Sequence, residues 1–376
     1  MKFYHVQLFN NHSCSSGGGG CGSGHCGSHH HHEEGIVHNG EEEGGCSSCE
    51  HQCGGHHHHD HDYEIQYSHE ELVKAADEGN VSAQYHLGLY HFDMREYEKC
   101  IEYCLKAAEL DFVPASTFLG YCYSTLKQDY EKSFEYYMKA AVKGDEVAQF
   151  HVGLLYENGQ GIEKSLTEAL KWYEKAAEQN HVDSQYNMGL IYFSGGEGVD
   201  PQLEKSFKIF EKLANIGLTD AQHILGFLYV NGHGVEQNYQ TAVEWFTQSA
   251  NQNHADSQYN LALLYENGLG IEQSDAKAYE WYLKAANQDH VLSQFSVGNM
   301  YYDGIGVEQS YESAFQWYLK AADLGDARSQ FNVGISYFKG QGCEKNVEKS
   351  LDYLHQALSN GLTQAQQAID VIKTQQ

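Results

Sequence analysis

The apolar residues of this chain recur with two nested periods. The shorter period is helical: Ser293, Val297, Gly298 and Tyr301 are small or apolar and fall on one stripe at helical spacing. The longer period returns the same stripe after successive spacings of 32 to 37 residues along the chain. A fixed period in this range is typical of stacked helical units, so the pattern predicts a repeat array.

Each unit of the array is predicted to contain two helices. In the unit 293–325, a second stripe runs through Ala314, Trp317 and Tyr318. Between the two stripes lies a Gly-x-Gly segment, whose first glycine is suited to end a helix in the left-handed conformation. The pattern therefore predicts an all-α fold of about eight two-helix units, with an opening helix over residues 70–78 and a polar closing helix over residues 363–374.

Two local features carry further expectations. A glycine such as Gly298 recurs inside the first helix, where glycine costs about 1 kcal/mol relative to alanine. We attribute it to close backbone approach by small residues of the facing helix, such as Ala321 and Ala322. At helix starts, Ser68 is predicted to form a capping box, and Asp200 with Pro201 to supply the N-cap and first residue of a helix.

The combined motif is small-Gln-aromatic-x-x-Gly, then Gly-x-Gly-Val/Ile, then Trp-Tyr-x-Lys-Ala-Ala. Over residues 70–376 it resembles the Sel-one-like repeat family, a relative of the tetratricopeptide repeats. The first two copies lack Gly-x-Gly and resemble plain tetratricopeptide units. The resemblance implies a right-handed α-solenoid with a concave protein-binding face, and a role as an adaptor or scaffold.

Charge and hydropathy limit the partners and the compartment. The net charge is −29, a sign that repels phosphate backbones, so we expect no nucleic-acid partner. The chain has no run of about 18 apolar residues, and its first residues lack the apolar segment of a secretion signal. The cysteines do not recur as pairs in the repeats, which favours a reducing compartment. We therefore expect a cytoplasmic, monomeric protein.

Residues 1–69 differ from the array in kind. They hold 13 glycines, 15 histidines and 6 cysteines, and too few apolar residues to offset chain entropy, so they are predicted to be a disordered tail. Imidazole and thiolate suit zinc, nickel or copper, and loose metal binding is one expectation for the tail, a low-complexity leader without function the other. The candidate ligands are Cys21, Cys26, Cys46, Cys49, Cys53, His56, His57, His58 and His59.

The sequence offers no candidate for catalysis and requires no cofactor. Gly-x-Gly does not follow a strand or open a helix, so it does not indicate a phosphate loop. The Trp-Tyr pairs fall at core spacing. The recurrent glutamine, for example Gln294, is expected to bridge structural elements, and His181, His254 and His290 to be exposed or to cap helices. We therefore predict a protein that is not an enzyme.

The predicted binding surface lies on the first helices, opposite their packed stripe. Two positions per unit fall there, and their chemistry varies between copies while the stripe does not. The candidate residues are His151, Leu154, Asn187, Leu190, Ile224, Phe227, Asn260, Leu263, Ser296, Asn299, Asn332 and Ile335. Leu190, Phe227 and Leu263 would form an exposed apolar strip. In the alternative interpretation these residues pack on the neighbouring repeat, and in a third the functional part is the metal-binding tail.

Overall fold

The computed structural model describes residues 68–375. Within them the chain forms eighteen α-helices and no sheet, apart from one isolated bridge between Gly196 and Val199. The prediction of an all-α solenoid is confirmed. The helices are α1 (His69–Asp77), α2 (Val81–Asp93), α3 (Tyr97–Glu109), α4 (Val113–Thr125), α5 (Tyr130–Ala141), α6 (Glu146–Asn158), α7 (Leu166–Glu178), α8 (Val182–Ser194), α9 (Leu203–Asn215), α10 (Thr219–Asn231), α11 (Tyr239–Asn251), α12 (Ala255–Asn267), α13 (Asp275–Ala286), α14 (Val291–Asp303), α15 (Tyr311–Asp323), α16 (Ala327–Lys339), α17 (Val347–Ser359) and α18 (Gln364–Thr374).

Each helix packs mainly on the helices that precede and follow it in the chain. The even-numbered helices from α2 to α16 are the first helices of eight repeats, and the odd-numbered helices from α3 to α17 are the second helices. Helix α1 opens the array with the predicted Ser68 capping box. Helix α18 closes it by burying Ala365, Ile369 and Ile372. The core of the described residues is thus a row of eight clusters along the array.

The two glycines of Gly-x-Gly have different duties. The first ends the first helix in the left-handed conformation, as Gly304 does with a φ of 71°. The second lies against the preceding repeat: a Cβ on Gly306 would collide with the carbonyl group of Asp275, the first residue of α13. Only a residue without a side chain allows this approach, so the segment is a connection between repeats.

The glycine inside seven of the eight first helices has a different reason from the one expected. A Cβ on Gly298 would lie 2.6 Å from the ring of Tyr318, and one on Gly153 would lie 2.5 Å from the ring of Tyr173. The facing group is an aromatic ring of the second helix in five repeats, and Cys104 or Leu354 in the first and last, so the small residues Ala321 and Ala322 are not the cause. The ring uses the space that a Cβ would occupy.

Helix α9 starts later than the sequence suggested. Its N-cap is Gln202, so the assignment of Asp200 and Pro201 to the N-cap and first helical residue is wrong. The Gly196–Val199 bridge turns the chain within this longer loop, and the Pro201 ring lies beside Gly195. The backbone N–H of Gln202 donates to Tyr192 O at 2.7 Å, which fixes where the next helix can begin.

The recurrent glutamine joins repeats, as predicted. Gln258 Nε2 donates to Ala250 O of the preceding repeat at 3.1 Å, and Gln258 Oε1 accepts from Gln288 Nε2, just after α13, at 2.8 Å. Gln149, Gln222 and Gln330 accept from an amide in the same way. Gln294 Oε1 instead is buried without a partner among the described residues, because Leu324 stands where the donor would be.

Candidate functional site

The twelve residues of the predicted binding surface all lie on first helices, but none is fully exposed. Nine are half-buried: His151, Leu154, Asn187, Leu190, Leu263, Ser296, Asn299, Asn332 and Ile335. The other three, Ile224, Phe227 and Asn260, are buried. The expected exposed strip of Leu190, Phe227 and Leu263 is therefore wrong, whereas a role of these positions in partner binding stays a prediction.

Neighbouring side chains explain why Phe227 is covered. Its ring lies 6.0 Å from the ring of Phe193 on the preceding first helix and 5.8 Å from that of His233 in the following loop. Leu190 packs against the same cluster from its edge. First helices of adjacent repeats thus share their apolar side chains, as in the alternative interpretation of these residues. We call the side of the first helices that carries the twelve residues the first-helix face.

Tyrosine hydroxyls reach this face at several junctions between repeats. Tyr173, fully buried on α7, donates its hydroxyl to Glu157 Oε2 at 2.6 Å and accepts from Asn187 Nδ2 at 3.3 Å. Burial and the nearby Glu157 carboxylate raise the pKa of Tyr173, so the hydroxyl stays protonated and donates. Three successive helices thereby contribute to one polar group, which we call a tyrosine junction.

A second tyrosine junction lies three repeats further along. Tyr282 donates to Glu266 Oε2 at 2.6 Å, and Ser296 of the next first helix lies in hydrogen-bonding reach of the same hydroxyl. Burial and the Glu266 carboxylate raise the pKa of Tyr282 in the same manner. At the following junction, Tyr318 donates to Asn299 Oδ1 at 2.8 Å.

Phenylalanine replaces tyrosine at the two junctions in between. Phe210 and Phe246 occupy the position of Tyr173 and are fully buried. Around Phe210 the first helices supply Phe193 and Ile224, so this junction is apolar throughout. At Phe246 the preceding first helix supplies Val230, but the following one supplies Asn260. Asn260 Nδ2 is buried with no hydrogen-bond partner among the described residues, since the ring offers no oxygen.

The inter-repeat histidines cap helices, one of the two roles expected for them. His254 Nδ1 accepts the backbone N–H of Ser257 at 3.1 Å, and His290 Nδ1 accepts that of Ser293 at 3.2 Å. His254 Nε2 lies 3.3 Å from Asp220 Oδ1 of the preceding repeat. Each imidazole therefore caps its own helix and connects it to the repeat before.

The group Ser257, His254 and Asp220 contains the residue types of a hydrolytic triad. Ser257 is fully buried, and its hydroxyl is hydrogen-bonded to Ser249 Oγ at 2.7 Å and lies 2.9 Å from His223 Nδ1. The Nδ1 lone pair of His254 is directed at the backbone N–H that it caps. A catalytic serine needs access to substrate and a free base, and this group has neither. Its arrangement therefore suits a structural role.

Metal ligation cannot be assigned within the array. Across residues 68–375, no group of three or more His, Cys, Asp or Glu side chains is arranged to hold a metal ion. Cys100, Cys104 and Cys122 lie together in one buried cluster. All nine candidate ligands of the tail, from Cys21 to His59, lie outside the described residues, so metal binding there stays a prediction.

A family model named Sel1 repeat matches eight consecutive segments of the chain. They are residues 81–112, 113–145, 147–181, 182–218, 219–254, 255–290, 291–326 and 327–362. The chain belongs to the Sel1 repeat family. The predicted resemblance is thus confirmed, and the match includes the first two repeats, which lack Gly-x-Gly.

Solved structures support the same assignment. The Sel1 repeat protein of Oxalobacter formigenes is 29% identical, with a TM-score of 0.70 over 81% of this chain and 89% of that one. A protective antigen of uropathogenic Escherichia coli, described as displaying an SLR fold, is 27% identical, with a TM-score of 0.59 over 81% of this chain and 74% of that one.

Curated relatives of the Sel1 chain match over shorter stretches. The DAP3-binding cell death enhancer 1 of Rattus norvegicus is 32% identical over 98 residues, which are 26% of this chain and 19% of that protein. The chitin synthase regulator SKT5 of Saccharomyces cerevisiae is 27% identical over 135 residues, 25% of this chain and 19% of that protein. The chain thus spans about a fifth of the length of these relatives. No helix in the described part is long and apolar enough to cross a membrane.

Sequence reasoning missed Glu157 and Glu266 as residues of the first-helix face. A signal was present in four consecutive repeats: a carboxylate stands late in the first helix where the second helix carries Tyr173 or Tyr282, and an apolar residue where it carries Phe210 or Phe246. Pairing the two positions within each repeat would have found both.

Proposed function

We propose that this Sel1 repeat protein is a non-enzymatic scaffold that binds a protein or peptide partner along the concave side of the solenoid. The observation that carries the proposal is the first-helix face. It combines constant packed positions with positions whose chemistry varies between repeats, from Asn187 to Ile224 to Ser296. A rigid array with such a surface is suited to extended recognition.

Two further findings support a binding role. The curated relatives carry names that describe binding and regulation. The serine of the triad-like group is buried and its histidine caps a helix, which favours a scaffold over a hydrolase. We also propose that the protein is monomeric and cytoplasmic, and that its excess of 52 acidic over 23 basic residues disfavours nucleic acid.

The test alters exposed residues of the first-helix face while leaving its buried ones intact. Asp183, Ser194 and Asn267 are exposed on first helices, and we would replace all three by lysine. The control places lysine at exposed positions of second helices, as Glu174→Lys, Gln248→Lys and Gln316→Lys. Partners are captured with the full chain and identified by mass spectrometry. Loss of the same partners only in the first-helix variant supports the proposal, and equal retention in both variants contradicts it.

A second candidate function is metal buffering by the tail. The ligand content of residues 1–69 favours it, and binding should weaken below the ordinary imidazole pKa of about 6.5 because protons compete for the same lone pairs. Calorimetry of the full chain with zinc above and below that pH provides the measurement. The control replaces Cys21, Cys26, Cys46, Cys49 and Cys53 by serine and His56 to His59 by glutamine. If the control binds zinc as well as the native chain does, these residues are not the ligands.

A further inference from the structure

Two carboxylates of the first-helix face have no ion-pair partner in the described part of the chain. Glu157 and Glu266 are half-buried, and each is held by a tyrosine hydroxyl at 2.6 Å. Neither forms an ion pair with a lysine, arginine or histidine among residues 68–375. Several ion pairs of the array join exposed lysines to carboxylates a turn away on the same helix, as Lys139 does with Glu135.

The stretch of the face between these carboxylates carries apolar side chains beside the polar Asp183, Asn187 and Ser194. It includes the two phenylalanine junctions and the half-buried side chains of Leu190, Phe193 and Leu263. The surrounding array carries 43 acidic and 22 basic residues over 70–376, so its field attracts cations. The face thus presents an anionic group, a stretch with several apolar side chains and a second anionic group in chain order.

We propose that the partner segment has the complementary pattern: apolar side chains at its centre and a lysine or arginine toward each end. The cationic ends pair with Glu157 and Glu266, which the tyrosines hold in place, and the centre covers Leu190, Phe193 and Leu263. This inference rests on the proposed function and specifies the chemistry of the partner. Fixed carboxylates favour it because a pre-positioned group loses less entropy on binding.

Synthetic peptides test the pattern directly. One peptide has leucine and phenylalanine at its centre and paired lysines at both ends; a second has the same centre between paired glutamates; a third has the lysines around a Gly-Ser centre. Binding to the full chain is followed by fluorescence anisotropy at low and at high salt. We expect the first peptide to bind most tightly, and its binding to weaken with salt because the pairs are screened.

A matched pair of variants locates the contact. The double variant Glu157→Gln, Glu266→Gln removes the two carboxylates and keeps an acceptor for each tyrosine. The control Glu174→Gln, Glu280→Gln makes the same charge change at exposed positions of second helices in the same two repeats. We expect binding of the lysine peptide to weaken about tenfold in the first variant, from two charge pairs, and to stay unchanged in the control.

Three outcomes would overturn the inference. They are no binding of the lysine peptide, equal binding of the glutamate peptide, and equal weakening in both double variants. Melting curves of the variants show whether each remains folded under assay conditions. The lysine variants at Asp183, Ser194 and Asn267 decide the proposed function by partner capture, so the scaffold can stand even where this pattern fails.

Discussion

The tyrosine and phenylalanine junctions solve the same packing problem with different chemistry. At both, an aromatic ring of the second helix fills the space left by a glycine of the first helix: Tyr318 on Gly298, and Phe246 on Gly226 at 2.8 Å. The tyrosine adds a hydroxyl that forms hydrogen bonds with side chains of neighbouring helices. The comparison shows that both kinds of junction share the ring packing, whereas the hydroxyl determines whether the face beside the ring is polar.

The largest expected effect comes from the glycine found at both kinds of junction, whose place Ala262 takes beside Tyr282. Gly298→Ala places a methyl group 2.6 Å from the Tyr318 ring, which the Asn299 hydrogen bond holds. We expect a loss of about 2–3 kcal/mol of unfolding free energy, and a smaller loss for Gly226→Ala, since the Phe246 ring has no such bond. Denaturant unfolding measures both. The control is Ala262→Gly, for which we expect a loss of about 1 kcal/mol. Equal losses for the two alanine variants would contradict the expected difference between the junctions.

The second effect is a dependence of stability on pH, which arises at the phenylalanine junction of Phe246. Burial, followed by repulsion from His254, lowers the pKa of His223, next to Phe246, to about 3. The unfolded chain therefore binds more protons, so stability contributed by neutral His223 is complete above about pH 6.5 and is lost as pH falls toward 3. We expect a loss of about 2 kcal/mol at pH 5.

The variant His223→Phe should make stability less dependent on pH between about 6.5 and 5, because it removes the group that titrates. Other repeats carry phenylalanine at this position, as Phe295 shows, so the ring is tolerated there. Exposed His355→Gln serves as the control. The measurement is the melting temperature as a function of pH. The same pH dependence in all three proteins would exclude His223 as its source.

The third effect exchanges the two chemistries. Phe246→Tyr offers an oxygen to the unpaired Asn260 Nδ2, and we expect a gain of about 1 kcal/mol. Phe210→Tyr places the same hydroxyl among Phe193 and Ile224, and we expect a loss of about 1–3 kcal/mol from an unpaired buried group. Thermal melting of the two variants measures both changes in stability. If both change stability in the same direction, the following first helix does not set the junction chemistry.

The smallest effect concerns the glutamine connections on the other side of the repeats. Leu324→Gln supplies the missing donor to buried Gln294 Oε1, and we expect a gain of about 0.5–1.5 kcal/mol. Val142→Gln is the matched control. It also replaces an exposed apolar residue, but its repeat has Ser116 where the others have the glutamine. We expect no gain from it. An equal rise in melting temperature for both variants would indicate solvation of the surface as the cause.

Local periodicity fixes much of this protein in the sequence itself. Two-helix units, the glycine stop at Gly304, the opening and closing helices and the bridging role of Gln258 are all predictable. Each depends on residues within one repeat or on a spacing that recurs, so several copies report the same constraint. The metal ligands of the tail stay a prediction because they lie beyond the described residues.

Contacts between repeats were decided only by the tertiary structure. Helical spacing assigns Phe227 to the open side of α10, yet Phe193 and His233 cover it from the neighbouring repeat and loop. Likewise, the approach of Gly306 to Asp275, which leaves no room for a Cβ, is a contact between two different repeats. The direction of a side chain on its helix follows from 3.6 residues per turn, but its burial depends on how closely the next helix approaches. That approach depends on contacts between repeats, such as that of Gly306 with Asp275, which no single repeat contains.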